Sequence, residues 1–254
     1  MSRAVAASAP TVLITGSARR IGRAIARDLA QNGWQVCVHY RHSAQEAEAL
    51  VEDIRRTGGS AVALAGDLAV EADVASLVPR CTEALGAPVC LINNASEFLV
   101  DTVATMAPET WDTHLDINLK APVFLAKSLF LALPPDAAGN VINIIDQRVW
   151  KLTPDFFSYT ISKAGLWTAT RTLAQALAPR VRVNAIGPGP VLKSIHQTEA
   201  DFAREAASTL LKRGPTPEEI AAAVRFILAS PTLTGQMIAL DGGQHLTWNS
   251  EEAP

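Results

Sequence analysis

The stretch Thr11-Val12-Leu13-Ile14-Thr15-Gly16-Ser17-Ala18-Arg19-Arg20-Ile21-Gly22 decides the fold. A short run of β-branched and apolar residues (11–15) enters a glycine turn, and a helical pattern leaves it over residues 21–32. Glycines at a strand-to-helix turn let the backbone approach a pyrophosphate, and a helix N-terminus favours that negative charge. A two-glycine loop alone is weak evidence, because many turns contain glycine. Its position at the head of an alternating array gives it weight.

Beyond it, β-rich runs at residues 35–40, 61–65, 89–92, 141–145, 181–186 and 237–240 alternate with helical patterns at 44–57, 71–85, 109–133, 156–177 and 217–229. The alternation predicts right-handed βαβ crossovers and an α/β fold: a single-domain, Rossmann-type, doubly wound parallel sheet of about seven strands flanked by helices. The expected organisation is a flexible N-terminal arm (1–10), the Rossmann-type domain (11–245) and a C-terminal tail (246–254). Residues 190–212, irregular and then helical from 199, are the expected substrate flap, since ligand-binding segments commonly lie on loops over rigid scaffolds.

The 254 residues suffice for a large core, and 48% apolar against 19% charged residues argues for a compact globular protein. A net charge of -3 gives no reason to expect nucleic acid or an anionic membrane as partner. No apolar stretch reaches transmembrane length. The Ala-rich N-terminus has an apolar part too short for a secretory leader. Of the three cysteines, Cys37 and Cys90 lie in strand-like runs, so buried, reduced thiols in a cytoplasmic protein are expected. His114, His196 and His245 lack metal-ligand spacing, and no metal site is expected.

Tyr159 and Lys163, four residues apart, fall on one helix face. A nearby ammonium favours phenolate and so is expected to lower the tyrosine pKa from about 10. Thirteen residues before the tyrosine stands Asp146, with no serine anywhere between Asn140 and Phe157. Ionised, Asp146 would oppose phenolate formation and hold a protonated substrate nitrogen; protonated, it would feed a proton through Tyr159. Both states suit reduction of a carbon–nitrogen double bond better than of an isolated carbonyl.

These features resemble the short-chain dehydrogenase/reductase superfamily over almost the whole chain. The anchors are Thr15-Gly16 with Arg20-Ile21-Gly22, Asp67, Asn93-Asn94-Ala95, Asn118, Tyr159 with Lys163, Pro188-Gly189 and Leu240-Asp241-Gly242-Gly243, in the family's order. The resemblance implies that Tyr159 transfers a proton, Lys163 binds the nicotinamide ribose, Asn118 bends a helix and holds a relay water, and Asp146 replaces the usual serine. It also implies cofactor contacts from Gly16, Ser17, Arg19, Arg20, Ile21, Tyr40, Asp67, Leu68, Asn94, Ala95, Ser96, Tyr159, Lys163, Pro188 and Gly189. In His39-Tyr40-Arg41-His42-Ser43 no acidic residue is available for the ribose of NAD; Arg41 and Ser43, with His42, are expected to take the 2′-phosphate of NADPH. A solvated charged turn is the plainer alternative.

Within that superfamily the pattern is similar to the pteridine reductase branch, including bacterial dihydromonapterin reductases. The shared features are Arg20 in place of glycine, the His-Tyr-Arg-His-Ser turn, Asn93-Asn94-Ala95-Ser96-Glu97-Phe98, and Asp146 with Tyr159. Arg41 and His42 stand in the reverse of the order in eukaryotic members. The branch implies that Phe98 stacks on a flat heterocycle. Arg20, Ser96, Phe98, Asp146, Trp150 and Tyr159 are the expected substrate contacts. The function so implied is NADPH-dependent reduction of a C=N bond in a dihydropterin-like substrate such as dihydromonapterin, dihydrobiopterin or dihydrofolate. The rivals are an ordinary carbonyl reductase for a 3-oxoacyl or sugar-like substrate, and a non-catalytic NADPH-binding sensor. Trp111 and Trp167 lie on helices that superfamily members use for subunit contacts, so a homo-oligomer, dimer or tetramer, is expected.

Overall fold

A computed structural model describes residues 9–248. Most of the expected arm (1–8) and the end of the tail (249–254) lie outside the described residues. Seven strands form one parallel sheet: β1 (Thr11–Ile14), β2 (Gln35–Tyr40), β3 (Ser60–Ala65), β4 (Cys90–Asn93), β5 (Gly139–Ile144), β6 (Val181–Pro188) and β7 (Met237–Leu240). Their order is β3-β2-β1-β4-β5-β6-β7, and every neighbouring pair is parallel. The chain reverses its direction of travel across the sheet between β1 and β4. In open α/β sheets ligands bind at that crevice, beyond the carboxyl ends of the strands.

Side chains alternate between two cores, as the strand period requires. Val12 and Ile14 of β1, Val36 and Val38 of β2, and Cys90 and Ile92 of β4 pack on α1 (Arg20–Gln31), α2 (Ala44–Arg56) and α8 (Pro217–Ala229). Leu13, Cys37 and Leu91 face the other way, towards Leu77 of α3 (Glu71–Leu85) and Leu125 and Leu129 of α5 (Ala121–Ala132). All three cysteines are buried and free. No described helix is long and apolar enough to cross a membrane.

Two helical expectations need correction. The pattern at residues 109–133 is not one helix but α4 (Pro108–Leu115), a π-helical turn (Asp116–Lys120) and α5. Pro122 is the cause. It has no N–H to donate to the carbonyl of Asn118 four residues back, and its ring crowds that carbonyl, so the chain widens there. The flap helix also stops early. α7 spans Glu199–Ser208, after which Thr209 Oγ1 donates to Ala206 O at 2.9 Å and accepts from Arg213 N at 3.1 Å, turning the chain back. The long α6 (Phe157–Leu177) carries Tyr159 and Lys163 as expected.

The turn after β1 is closely packed. Gly16 has φ +61, and a Cβ there would lie 2.9 Å from Ala95 Cα. A Cβ on Gly22 would lie 2.6 Å from both Asn94 Nδ2 and Gly16 O, so α1 starts hard against the backbone of the turn and the Asn94 side chain. Gly22→Ala should therefore cost about 1–3 kcal/mol of stability. A lower denaturant midpoint with an unchanged slope would register that loss, and an unchanged midpoint would contradict it.

Candidate active site

Two adjoining clefts open at the carboxyl end of the sheet and share Arg20, Ile21, Asn94 and Ser96. The first, about 380 Å³, is lined by Gly16, Arg19 and Gly22 from the glycine turn, by Tyr40, Arg41, His42 and Ser43 after β2, and by Asp67 and Leu68 after β3. Ala95 closes its floor. Ser17 is the exception among the expected contacts. Its side chain is fully buried and donates to Ile14 O at 2.8 Å, so it braces the turn from inside.

His39, quoted in the sequence only as part of the basic turn, organises this cleft. Its Nδ1 accepts from Gly16 N at 3.0 Å, which leaves Nε2–H to donate to Gly66 O at 3.1 Å. Burial lowers its pKa to about 4, so the ring stays neutral and both bonds hold at neutral pH. Arg41 is exposed but ion-paired. Its guanidinium reaches Glu97 at 2.9 Å and Asp67 at 4.0 Å across the cleft. That partnership with Glu97 joins segments far apart in sequence, and the local basic pattern gave no sign of it.

The second cleft, about 530 Å³, lies beside the first. Tyr159 Oη donates to Asp146 Oδ2 at 2.9 Å. Asp146 caps a short 3₁₀ turn (Gln147–Val149), its Oδ1 accepting from Arg148 N at 2.8 Å. Lys163 Nζ donates to Ile144 O at 3.0 Å and lies 5.7 Å from the Tyr159 ring centroid. The expected lowering of the tyrosine pKa is reversed here. Burial, then the charge of Asp146, hold Tyr159 well above its usual value. Burial also raises the Asp146 carboxyl. Lys163 is lowered to about 8 by burial, against the pull of Asp146. Burial thus shifts the phenol and the carboxyl in the same direction, each towards its protonated form.

Phe98 stands over this pair. Its ring stacks on Phe156 at 4.2 Å and 11°, and meets Tyr159 edge-on at 4.7 Å. The resulting flat apolar wall also lines the cleft. Phe156 holds a left-handed backbone, φ 55, the kind of local strain that concentrates at functional sites. Trp150 is not part of the cleft lining. The 3₁₀ turn carries it past the cleft to pack edge-on against Trp167 at 6.4 Å and beside His245 at 5.1 Å, with 44% of its surface exposed.

Asn118 is fully buried, and its side chain acts as a clamp behind the cleft. Its Oδ1 accepts from Glu97 N at 2.9 Å and Ser96 Oγ at 3.1 Å, while Nδ2 donates to Glu97 O at 3.0 Å and Ser162 Oγ at 3.1 Å. A second anchor was not recognised in the sequence. Leu99 N donates to His114 Nε2 at 3.0 Å, His114 Nδ1–H reaches Ser158 Oγ at 2.6 Å, and that hydroxyl donates to Asp101. Phe98 is held between these two networks.

The flap closes the outer side through two tethers. Arg20 Nη2 donates to Leu192 O at 3.0 Å, and the His196 ring bonds Phe98 O at 3.0 Å. Arg20 itself has φ 54, a conformation that favours glycine. Pro188 and Gly189 line the cleft beneath the flap. No cluster of three or more metal-ligating side chains occurs among the described residues.

Residues 16–245 match the family model described as enoyl-(acyl carrier protein) reductase. The chain is 32% identical over 243 residues to a 3-oxoacyl-[acyl-carrier-protein] reductase of Synechocystis sp., covering 94% of this chain and 98% of the relative. Among solved structures it is similar to FolM alternative dihydrofolate reductase 1 from Brucella canis, complexed with NADP, at 49% identity and a TM-score of 0.94. That match covers 97% of this chain and 98% of the other. The Brucella suis protein of the same description, also in complex with NADP, is 50% identical with a TM-score of 0.93, over 95% of this chain and 97% of that one.

Replacing Arg20 with glycine should relieve a left-handed backbone worth roughly 1 kcal/mol while cutting one flap tether. The expected result is equal or higher thermal stability together with weaker ligand binding in the second cleft; a less stable protein would refute the strain at Arg20. Lys163 gives a pH dependence. The native ammonium loses its proton near pH 8 and the unfolded one near 10.5. Between those values the unfolded chain binds more protons, so native stability rises with pH by about 1–3 kcal/mol. Denaturant midpoints at pH 7.5 and 10, measured beside Lys163→Met as the flat control, would reveal the rise or its absence.

Proposed function

The chain belongs to the short-chain dehydrogenase/reductase superfamily of oxidoreductases, and on that premise we propose that it is an NADPH-dependent reductase of a C=N bond in a dihydropterin-like substrate. The observation that carries this reading is the 2.9 Å bond from Tyr159 Oη to Asp146 Oδ2 beneath the stacked rings of Phe98 and Phe156. A serine at this position suits a reacting carbonyl or alcohol oxygen. A carboxyl suits a ring nitrogen, which needs a proton and offers N–H groups to an acceptor.

The first cleft fits the dinucleotide. The glycine turn lines it at the N-terminus of α1, where a pyrophosphate is favoured, and Arg41, His42 and Ser43 supply donors for a 2′-phosphate. Arg41 would exchange or share Glu97 on binding it. When bound, the nicotinamide supplies the hydride. Lys163, in the lining of the second cleft, would hold the adjoining ribose. The NADP named in the two Brucella structures supports the choice of cofactor.

In the second cleft, Phe98 and Phe156 orient a planar ring by stacking and exclude water from one face. Tyr159 donates its proton to the substrate nitrogen. Asp146, whose carboxyl burial raises, is the hydrogen-bonded partner through which the phenol would regain a proton. Asn118 fixes the Ser96–Phe98 segment, so its role is to position the aromatic wall. The homo-oligomer belongs to the same reading, with exposed Phe124 and Leu131 on α5 as its apolar contacts.

The second reading, a carbonyl reductase acting on a 3-oxoacyl carrier, draws support from the Synechocystis relative. Asp146 and the aromatic wall favour the pterin. One assay separates the readings: NADPH with dihydromonapterin, dihydrobiopterin, dihydrofolate and a panel of ketones. NADPH oxidation by the pterins is expected; oxidation by ketones alone would defeat the proposal, and binding without turnover would make the protein a sensor. Asp146→Ser should lower pterin kcat/KM by roughly 100-fold, in the range of a lost general acid, with NADPH affinity nearly unchanged. Equal loss of both would make Asp146 structural.

A further inference from the structure

The flap brings into the second cleft a carboxylate that neither hydride nor proton transfer uses. Phe202 and Glu205 lie three residues apart on α7, hence on one face, and both line the cleft. Glu205 Oε2 accepts from Gln197 Nε2 at 2.6 Å, and Oε1 accepts from Gln244 Nε2 at 3.3 Å. Both donors are neutral amides. Several cations near it in sequence are taken elsewhere: Arg204 pairs with Asp201, Arg213 with Glu219 and Lys193 with Glu199. Among the described residues Glu205 has no ion-pair partner.

Gln244 adds a second acceptor. Its Oε1 is buried without a hydrogen-bond partner and lies against Gly189 on the cleft lining. A carboxylate offers about four lone-pair sites, and the two amides use two of them. The flap end of the cleft is therefore a rim of unfilled acceptors around an uncompensated negative charge. Such a rim binds hydroxyl groups and repels carboxylates. The cationic side chains around the cleft are engaged elsewhere: Arg148 lies over the Phe156 ring at 5.2 Å and donates to Thr153, Arg20 donates to Leu192 O, Lys163 to Ile144 O, and Lys151 to the backbone oxygens of Thr247 and Gln244.

We propose that Glu205, with Gln244, is the specificity-determining site for the substituent of the heterocycle, selecting a neutral polyhydroxylated chain and rejecting an anionic one. The assignment rests on the pterin reading of the same cleft and narrows it. Of the substrates considered, it favours dihydromonapterin, whose side chain carries hydroxyls, over dihydrofolate, whose tail ends in carboxylates.

The test is steady-state kinetics with NADPH and each of those two substrates, on the wild type and on Glu205→Gln, Glu205→Ala, Gln244→Leu and Arg148→Met. The wild type should prefer dihydromonapterin by tenfold or more in kcat/KM. Glu205→Gln should raise KM for dihydromonapterin about tenfold, equivalent to ~1.4 kcal/mol, with kcat within about twofold. It should raise kcat/KM for dihydrofolate several-fold. NADPH affinity, read by nucleotide fluorescence, should not move, and Gln244→Leu should repeat the first effect without the second. Dihydrofolate preferred by the wild type, equal losses on both substrates, or folate turnover that depends on Arg148 and ignores Glu205 would each overturn the assignment alone. Reduction of neither substrate by a protein that binds NADPH would overturn the pterin reading and this assignment with it.

Discussion

The hydrogen bond between Tyr159 and Asp146 joins the end of β5 to the first turn of α6, and the working geometry of the cleft is arranged around it. Burial alone makes both groups reluctant to ionise, and each charge would make the other costlier. An isolated buried carboxyl would need a donor, and an isolated buried phenol an acceptor; here each meets the other's need. Lys163 completes the balance from behind, bonded to Ile144 O at the same strand end, with its ammonium weakened by the same burial. Three titratable groups share one small volume; burial is the largest influence on each, and Asp146 acts on both of the others.

Phe98 must be held rigidly if that chemistry is to meet a flat ring, and it lies on a loop with no secondary structure of its own. Two buried polar networks supply the rigidity. Asn118 binds both sides of the Glu97 peptide, and the chain from Leu99 through His114 and Ser158 to Asp101 fixes the other flank. Both networks end on α6, through Ser162 and Ser158. The helix that carries the proton donor thus also positions the stacking surface. The π turn created by Pro122 is what turns Asn118 inward to reach the loop.

The fold was legible because strand and helix periods alternate cleanly and the turns carry glycine where backbone meets backbone. The core of the site was legible for the same local reason: Tyr159 and Lys163 are one helical turn apart, and Asp146 follows a recognisable strand. What escaped were contacts made across long sequence separations. Glu97 on Arg41, His196 on Phe98 O and Glu205 between two glutamines depend on where loops close, which no local pattern records. Trp150 misled for a related reason. An aromatic next to a catalytic strand end is equally at home in a cleft or against Trp167, and only the 3₁₀ turn decides which. The sign of the tyrosine pKa was missed because a neighbouring lysine can be counted from sequence, whereas burial cannot.

The construction of α7 has one more consequence. The helix buries none of its residues, yet its start is closed by a reciprocal cap between Thr198 and Asp201. Its internal hydrogen bonds therefore do not depend on docking, and it can leave the cleft as an intact unit without melting. Separation breaks the Arg20–Leu192, His196–Phe98 and Gln244–Glu205 bonds, about 1.5–4.5 kcal/mol together. On the proposed reading, a flat ring would enter and leave by swinging of a preformed helix, and the cleft would reassemble without refolding it.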